Sequence, residues 1–393
     1  MFQAGTAYSK NRTAEKAVEA AARAALEKTG ASKADFAIFF ASSEYRKHYA
    51  DMSRKIKQIT GADCIIGASG FGILTEEEEI EQQPGVAVMA VSCPEIEKFS
   101  FMISNLQENN FRAGEKIGEF LKTNLVQPNL LLLLPDPFSF QSHLFFDGIE
   151  NGYGYLPIIG GAAAENGKEE KTYQIEGETA AFDSICGLAL GGNFRVETGI
   201  TRSCHPFGEA LRITRAEGNM IYEMDGRPAY DILLESLSQL EFENPSQIFQ
   251  RVFLGVPLKS FQTDFLAAPY LIRNIMGVNA KKGMLSCVGP VEEGEFVTFT
   301  VRDPNLARQD LKATLDDLKM RIDGSKVHFG FYFNCCARGE LLYGKPNQDV
   351  NLIREIFPNI PIIGFFSYGE IAPVDHVNHF HHHSAVLSLV CES

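Results

Sequence analysis

Long apolar runs are scarce in this chain of 393 residues. The longest run of leucine, isoleucine and valine extends only from Leu130 to Leu134, and Pro135 closes it. A helix that crosses a membrane needs roughly 20 apolar residues, so the sequence does not predict one. The N-terminus lacks a basic start followed by an apolar stretch and therefore does not predict a signal peptide.

Paired cysteines are also missing, because none of the eight cysteines forms a Cys-x-x-Cys motif. Without a secretory signal, free thiols in a reducing compartment are the better interpretation. We therefore expect a cytoplasmic protein.

Positive charge is in short supply, with 36 Lys and Arg against 50 Asp and Glu and a net charge of −14. An acidic chain repels nucleic acids and anionic membranes at long range, so neither is an expected partner. The hydrophobic fraction of 45% is enough for a substantial core. Since single cores stop growing near ~250–300 residues, the length favours two domains.

Familiar catalytic and phosphate-binding motifs are absent. The segments around Ser69 and Ser367 each lack one glycine of the Gly-x-Ser-x-Gly elbow. Residues 161–168 have one residue too many for a phosphate loop, and Glu169 stands where Ser or Thr would bind magnesium. The glycines are therefore predicted to form tight turns, and no cofactor is expected.

A repeat of about eighty residues is what the sequence does contain. The order helix, apolar strand, helix, Ile-Ile-Gly strand and closing strand occurs three times, at residues 13–93, 111–192 and 306–391. The Ile-Ile-Gly motifs end at Gly67, Gly160 and Gly364. A strand–helix–strand crossover implies a parallel pair, to which the closing strand is added antiparallel. The predicted fold class is thus α/β, with internally repeated subdomains whose mixed sheets are flanked by helices.

Residues 195–303 fit the repeat poorly. A helix is predicted at 228–240 and strands at 270–275, 284–288 and 296–301, and we interpret the segment as a diverged fourth unit. The predicted division is into domains 1–198 and 199–393.

Two conspicuous clusters are given structural interpretations. Glu76 to Glu79 is predicted to be a solvated hairpin tip that discourages edge pairing. His379, His381 and His383 would share one face of a strand and could hold zinc or copper. No acidic or cysteine ligand stands beside them at metal spacing, so no metal site is predicted.

The candidate site lies in the second half of the chain. A polar loop with Arg338 follows an apolar strand directly, and ligands of α/β sheets gather beyond the carboxyl ends of strands. The third Ile-Ile-Gly turn adds aromatic residues and an acid, and another arginine stands among apolar strand residues. On charge burial alone, the two arginines could equally meet a ligand anion or structural carboxylates such as Glu340 or Glu370. The candidate ligand-binding residues are Arg273, Asn274, Asn334, Cys335, Arg338, Gly339, Gly364, Phe365, Phe366, Tyr368, Gly369 and Glu370.

These segments resemble the FIST C-terminal domain, through 270–274, 334–339 and 363–373, together with 226–231. The first half is similar to the FIST N-terminal domain, through 65–70 and 157–161. The resemblance implies a sensory module of signal transduction that binds a small ligand such as an amino acid. It also implies that a chain without an output domain passes its signal to a separate signalling protein.

Three functions follow as hypotheses. The first is a ligand-binding sensor, in which Arg273 and Arg338 neutralise a ligand anion and Glu370 meets an ammonium group. The second is a thiol enzyme that uses Cys335, with His381 or His328 as base. The third is a protein-interaction scaffold. The sensor is preferred, and no catalytic residue is assigned.

Overall fold

A computed structural model describes residues 2–238, 240, 248–258 and 269–393. Two compact units are distinguished. The first comprises 1–201, 311–380 and 384–393, and the second comprises 202–310 and 381–383. The division of the sequence into domains 1–198 and 199–393 stays a prediction.

The first unit is built from three repeats, as predicted. The first repeat contains β1 (Gln3–Ser9), α1 (Ala14–Thr29), β2 (Phe36–Ser42), α2 (Tyr49–Thr60), β3 (Cys64–Gly70), β4 (Ile73–Thr75), β5 (Glu79–Ile80) and β6 (Val86–Ser92). The second contains β7 (Glu97–Ser104), α3 (Asn110–Asn124), β8 (Pro128–Pro135), α4 (Ser142–Gly152), β9 (Ile158–Gly161), β10 (Gln174–Glu176), β11 (Thr179–Ala181) and β12 (Ser184–Gly191).

The third repeat is interrupted in sequence by the second unit. It begins with β13 (Arg195–Arg202). The chain then forms β14 (Cys204–Glu217), β15 (Met220–Met224), β16 (Arg227–Pro228), α5 (Ala229–Leu237), α6 (Ile248–Arg251), β17 (Val252–Pro257), β18 (Tyr270–Asn279), β19 (Met284–Cys287) and β20 (Phe296–Arg302). The repeat resumes with α7 (Pro304–Ile322), β21 (Val327–Cys335), α8 (Gly339–Tyr343), α9 (Gln348–Ile356), β22 (Ile362–Ser367), β23 (Glu370–Val374), β24 (Val377–His381) and β25 (Ser384–Cys391).

Each repeat forms a mixed six-stranded sheet with a strand pair borrowed from another repeat. The sheet orders are β1-β6-β2-β3-β10-β11, β7-β12-β8-β9-β23-β24 and β13-β25-β21-β22-β4-β5. The two central strands are parallel, and the closing strand is antiparallel to them. The α/β prediction with mixed sheets is therefore confirmed.

Each borrowed pair, which we call an arm, comes from one repeat and joins the sheet of another, and the three exchanges form a closed cycle. The arm β4–β5 of the first repeat joins the third sheet, β10–β11 joins the first, and β23–β24 joins the second. Main-chain hydrogen bonds after the Ile-Ile-Gly strands repeat the cycle: Phe71 N to Phe366 O at 3.0 Å, Ala164 N to Ser69 O at 2.9 Å and Tyr368 N to Ala162 O at 3.1 Å. The three repeats are thus related by a pseudo-threefold arrangement.

The glycine of each Ile-Ile-Gly motif allows the two parallel strands to approach closely. An added Cβ would lie 2.4 Å from Phe39 O at Gly67, 1.9 Å from Leu133 O at Gly160 and 1.7 Å from Tyr332 O at Gly364. These distances are far inside van der Waals contact, so the motif requires glycine for steric reasons.

Apolar residues from all three sheets share one core, and helices cover the outer faces. The shared core includes Phe40, Leu134, Phe333 and Phe365, all fully buried. Separate apolar clusters pack beneath α1 and α2, beneath α3 and α4, and beneath α7 and α9. Strands buried on both faces explain the nearly continuous apolar runs in the sequence.

The second unit is a closed antiparallel sheet. Its order is β14-β20-β17-β18-β19-β15-β16, and a further pairing of β14 with β15 closes the ring. The interpretation as a fourth repeat is wrong, since no parallel pair occurs among its described residues. The predicted helix and three strands correspond to α5, β18, β19 and β20. Position 239 of the predicted helix lies outside the described residues.

Candidate functional site

Ten of the twelve candidate residues belong to the first unit, at or near the carboxyl ends of β21 and β22. Arg273 and Asn274 belong to the second unit. Arg273 is half-buried on β18 and donates a hydrogen bond to Pro290 O. Asn274 is exposed, and its Oδ1 accepts a hydrogen bond from His383 Nε2 at 2.7 Å.

Arg338 is fully buried and forms an ion pair with Asp349, Nη2 to Oδ2 at 2.9 Å. The same carboxylate accepts hydrogen bonds from Tyr332 Oη at 2.8 Å and Asn334 Nδ2 at 3.1 Å. Tyr343 Oη donates to its other oxygen at 2.8 Å. Because the guanidinium is held by an internal carboxylate, Arg338 orders the loop after β21. Sequence reasoning had not singled out Asp349, since many acidic residues could have served as partners.

Two glutamates of the first repeat reach into this loop. Glu79 Oε1 accepts hydrogen bonds from the main-chain N–H groups of Asp349 at 3.1 Å and Val350 at 2.9 Å, at the start of α9. Glu81 Oε1 accepts from Glu340 N at 2.9 Å. At Gly339, where φ is +57°, an added Cβ would lie 2.4 Å from that oxygen. The loop is therefore fixed by contacts from another repeat.

Burial keeps both glutamates from ionising easily. Burial, together with the charge of Asp349, raises the pKa of Glu79 to about 8. Burial and the charges of Glu340 and Asp349 raise the pKa of Glu81 to about 7. Among the described residues, Glu79 Oε2 and Asn334 Oδ1 are buried without a hydrogen-bond partner. The prediction of a solvated tip at 76–79 is wrong for Glu79, which is 3% exposed.

Glu370 forms a second buried polar cluster. Its two carboxyl oxygens accept hydrogen bonds from Ser367 Oγ at 2.7 Å and Ser384 Oγ at 2.6 Å. Burial, with a smaller contribution from the neighbouring Cys335, raises its pKa well above the ordinary value. Pairing of β23 with β9 places Glu370 opposite Gly161 of the second repeat. Glu370 thus joins the third repeat to the second from inside the protein.

The aromatic residues of the third Ile-Ile-Gly turn point in different directions. Phe365 is fully buried in the shared core, with its ring centroid 4.5 Å from that of Phe40. Phe366 is fully buried beneath the helices of the third repeat. Tyr368 is half-buried, and its ring meets the 59% exposed Phe138 edge-on at 6.3 Å. Gly364 and Gly369 are sites of close approach, to Tyr332 O and to the Phe380 ring.

Glu165, which is itself only 3% exposed, lies at the carboxyl ends of β8, β9, β21 and β22 beside the half-buried Tyr368. Tyr368 Oη donates to Glu165 Oε1 at 3.0 Å, and the N–H groups of Lys168 and Glu169 donate to Oε2 at 2.8 and 2.9 Å. Although burial opposes ionisation, these donors lower the pKa of Glu165 below its ordinary value. The half-exposed Cys336 lies beside Tyr368. We call Phe138, Glu165, Cys336 and Tyr368 the carboxyl-edge face.

The thiol-enzyme hypothesis loses one of its two bases. His328 precedes Cys335 by seven residues on the same strand, which corresponds to roughly 23 Å at ~3.3 Å per residue. All eight cysteines fall within the described residues and none forms a disulfide. The buried Cys335 has a carboxyl, Glu370, as its neighbour.

The histidine cluster does not form a continuous strand. β24 ends at His381, and His383 has a φ of +53° in the following turn, so the predicted alignment of three histidines on one face is wrong. Within the described ranges, no group of three or more His, Cys, Asp and Glu side chains could hold a metal ion. The described helices also include none that is long and apolar enough to cross a membrane.

Comparisons with known proteins agree with the resemblance seen in the sequence. The FIST N domain matches residues 35–227, and the FIST C domain matches residues 229–373. FIST domains are generally sensory domains of signalling proteins.

The similar proteins include an uncharacterised protein of Mycobacterium tuberculosis, 27% identical over 95% of each chain. An F-box/LRR-repeat protein of Arabidopsis thaliana is 22% identical over 66% of this chain and 46% of its own length. Among solved structures, a cyanuric acid hydrolase of A. caulinodans covers 100% of both chains at 8% identity, with a TM-score of 0.37. The two matched domains span most of the sequence, and the chain belongs to the FIST family.

Proposed function

We propose that this chain is a sensory module that binds a small ligand at the carboxyl-edge face. The observation that carries the proposal is the geometry of Glu165: hydrogen-bond donors favour its ionised carboxylate, and one of them, Tyr368, has its ring against the exposed Phe138. An anionic acceptor next to aromatic surface suits a ligand with an ammonium group. Amino acids are the first class to test.

The buried residues of the predicted site have a positioning role in this proposal. Arg338 and Glu370 are both fully buried, and their charged or polar ends are hydrogen-bonded inside the protein. They hold the ends of β21 and β22, from which Cys336 and Tyr368 project. Contacts of Arg273 and Asn274 with a ligand stay predictions.

Ligand binding would be detected as thermal stabilisation of the full chain. A ligand at ~100 times its dissociation constant adds about 2.7 kcal/mol, which should raise the Tm by a few degrees. Each amino acid is compared with its N-acetyl derivative, which lacks the ammonium charge. We expect stabilisation by the free form only.

Two variants locate the ligand. Glu165→Gln removes the carboxylate charge and Tyr368→Phe removes the hydroxyl that contacts it, and each should weaken binding about tenfold or more. Tyr155→Phe is the matched control, because Tyr155 packs against His376 and has no part in the face. The proposal fails if no amino acid stabilises the wild-type chain, or if Glu165→Gln binds as the wild type does.

The signal would pass to a separate signalling protein. In the two variants, ligand-dependent association with such a protein should weaken in parallel with ligand binding.

A further inference from the structure

A polar cleft of about 560 Å³ opens in the first repeat between α1, α2 and the turn after β2. Its floor is formed by the buried side chains of Val18, Tyr45 and Met52, which are at most 2% exposed. Tyr45 Oη donates a hydrogen bond to Asn11 O, which fixes the main chain next to Arg12. None of the residues that line the cleft belongs to the carboxyl-edge face.

The rim of the cleft carries equal numbers of positive and negative side chains. These are Arg12, Arg54 and Lys55 with Glu15, Glu44 and Asp51. A rim without net charge favours neither strongly anionic nor strongly cationic ligands over long range. It does complement a ligand that carries one charge of each sign.

Most of these charges are already matched within the protein. Arg54 Nη1 lies 2.7 Å from Asp51 Oδ1, and Lys55 Nζ lies 3.7 Å from Glu15 Oε1. Arg12 and Glu44 are exposed, and the described part of the chain provides no ion pair for either. One cation and one carboxylate therefore remain available to a ligand.

We infer that this cleft binds a free short peptide. The peptide carboxylate pairs with Arg12 and the peptide ammonium pairs with Glu44. The volume lies within the range of small-molecule pockets, and a peptide of two or three residues spans about 7–10 Å when extended. This site is independent of the ligand proposed for the carboxyl-edge face.

Isothermal titration of the full chain tests the inference with di- and tripeptides of alanine, leucine, serine and phenylalanine. Each is used free, N-acetylated and as its C-terminal amide. Free peptides should bind at millimolar concentration or below, and blocking either end should weaken binding at least tenfold. Equal binding of free and blocked peptides, or no binding of any free peptide, would overturn the inference.

Substitutions assign the binding to the cleft. Arg12→Gln and Glu44→Gln should each weaken binding of free peptides about tenfold. Arg12→Gln should also abolish the preference for a free peptide carboxylate, and Glu44→Gln the preference for a free peptide ammonium. Lys16→Gln is the control, because Lys16 is an exposed cation of α1 outside the cleft. Binding of free peptides by Arg12→Gln and Glu44→Gln as tight as in the wild type would refute the site. Failure of amino acids to stabilise the chain would refute only the carboxyl-edge proposal.

Discussion

Replacing Glu79 by Gln should change how the stability of the chain depends on pH. Glu79 accepts two main-chain N–H groups through Oε1, and its other oxygen is buried without a partner among the described residues. Glutamine keeps the accepting oxygen and resembles the protonated acid in shape. The substitution therefore removes the titration and leaves the hydrogen bonds to α9 available.

The sign of the effect follows from proton binding. Glu79 has a pKa of about 8 in the folded chain and an ordinary value of 4.5 when unfolded. Between these values the folded state binds more protons than the unfolded state, so stability falls as pH rises from about 4.5 to 8. The difference between these two pKa values corresponds to a loss of at most about 5 kcal/mol. Glu81, with a pKa of about 7, contributes in the same direction.

Urea unfolding followed by circular dichroism between pH 5 and pH 8.5 measures this dependence. Glu79→Gln should match the wild type near pH 5 and be more stable by several kcal/mol at pH 8.5. Glu77→Gln provides the control, because Glu77 is exposed and pairs with Lys28 at 2.8 Å. If Glu79→Gln loses stability with pH as steeply as the wild type, burial of Glu79 is not what sets the slope.

Two further substitutions test the buried loop and the close strand contact. Arg338→Met should lower the free energy of unfolding in urea by about 3–5 kcal/mol, because Asp349 is left as a buried charge without its ion-pair partner. The double variant Arg338→Met with Asp349→Leu should recover part of that loss. A double variant that is no more stable than Arg338→Met would contradict this explanation. Gly364→Ala should cost more than 2 kcal/mol by the same assay, since the new Cβ would meet Tyr332 O. Gly324→Ala, where φ is +75° but no atom lies within 4 Å of a Cβ, separates strand contact from backbone strain.

Local patterns predicted most of the first unit. Apolar strands, helical spacing and three Ile-Ile-Gly motifs located the central strands and the helices to within a few residues. The first strand of each repeat was missed, since β7 and β13 are half-buried with mixed polar and apolar residues. The spacing of apolar residues also could not show that the arms are exchanged, because it indicates where a strand lies and not which repeat that strand pairs with.

The candidate site was predicted only in part. The position beyond β21 and β22 followed from the general behaviour of strand ends, and Arg338 was identified by its place in the loop. Glu79, which accepts a hydrogen bond from Asp349 N, lies 270 residues before Asp349 in the chain, where a run of four glutamates resembles a solvated turn. Burial of a carboxyl in such a run depends on contacts that only the fold creates. The same reason explains why Glu165 and Phe138 were not singled out.

The cyclic exchange of arms makes the stability of each repeat depend on the other two. Each sheet is finished by a neighbour, so no repeat can loosen alone without uncovering a strand edge in another. A disturbance at the first arm, where Glu79 and Glu81 sit, is felt directly by the loop after β21 in the third repeat. The three repeats are connected both by the chain and by the hydrogen bonds of the exchanged arms. A ligand that stabilised one repeat would therefore also stabilise the other two.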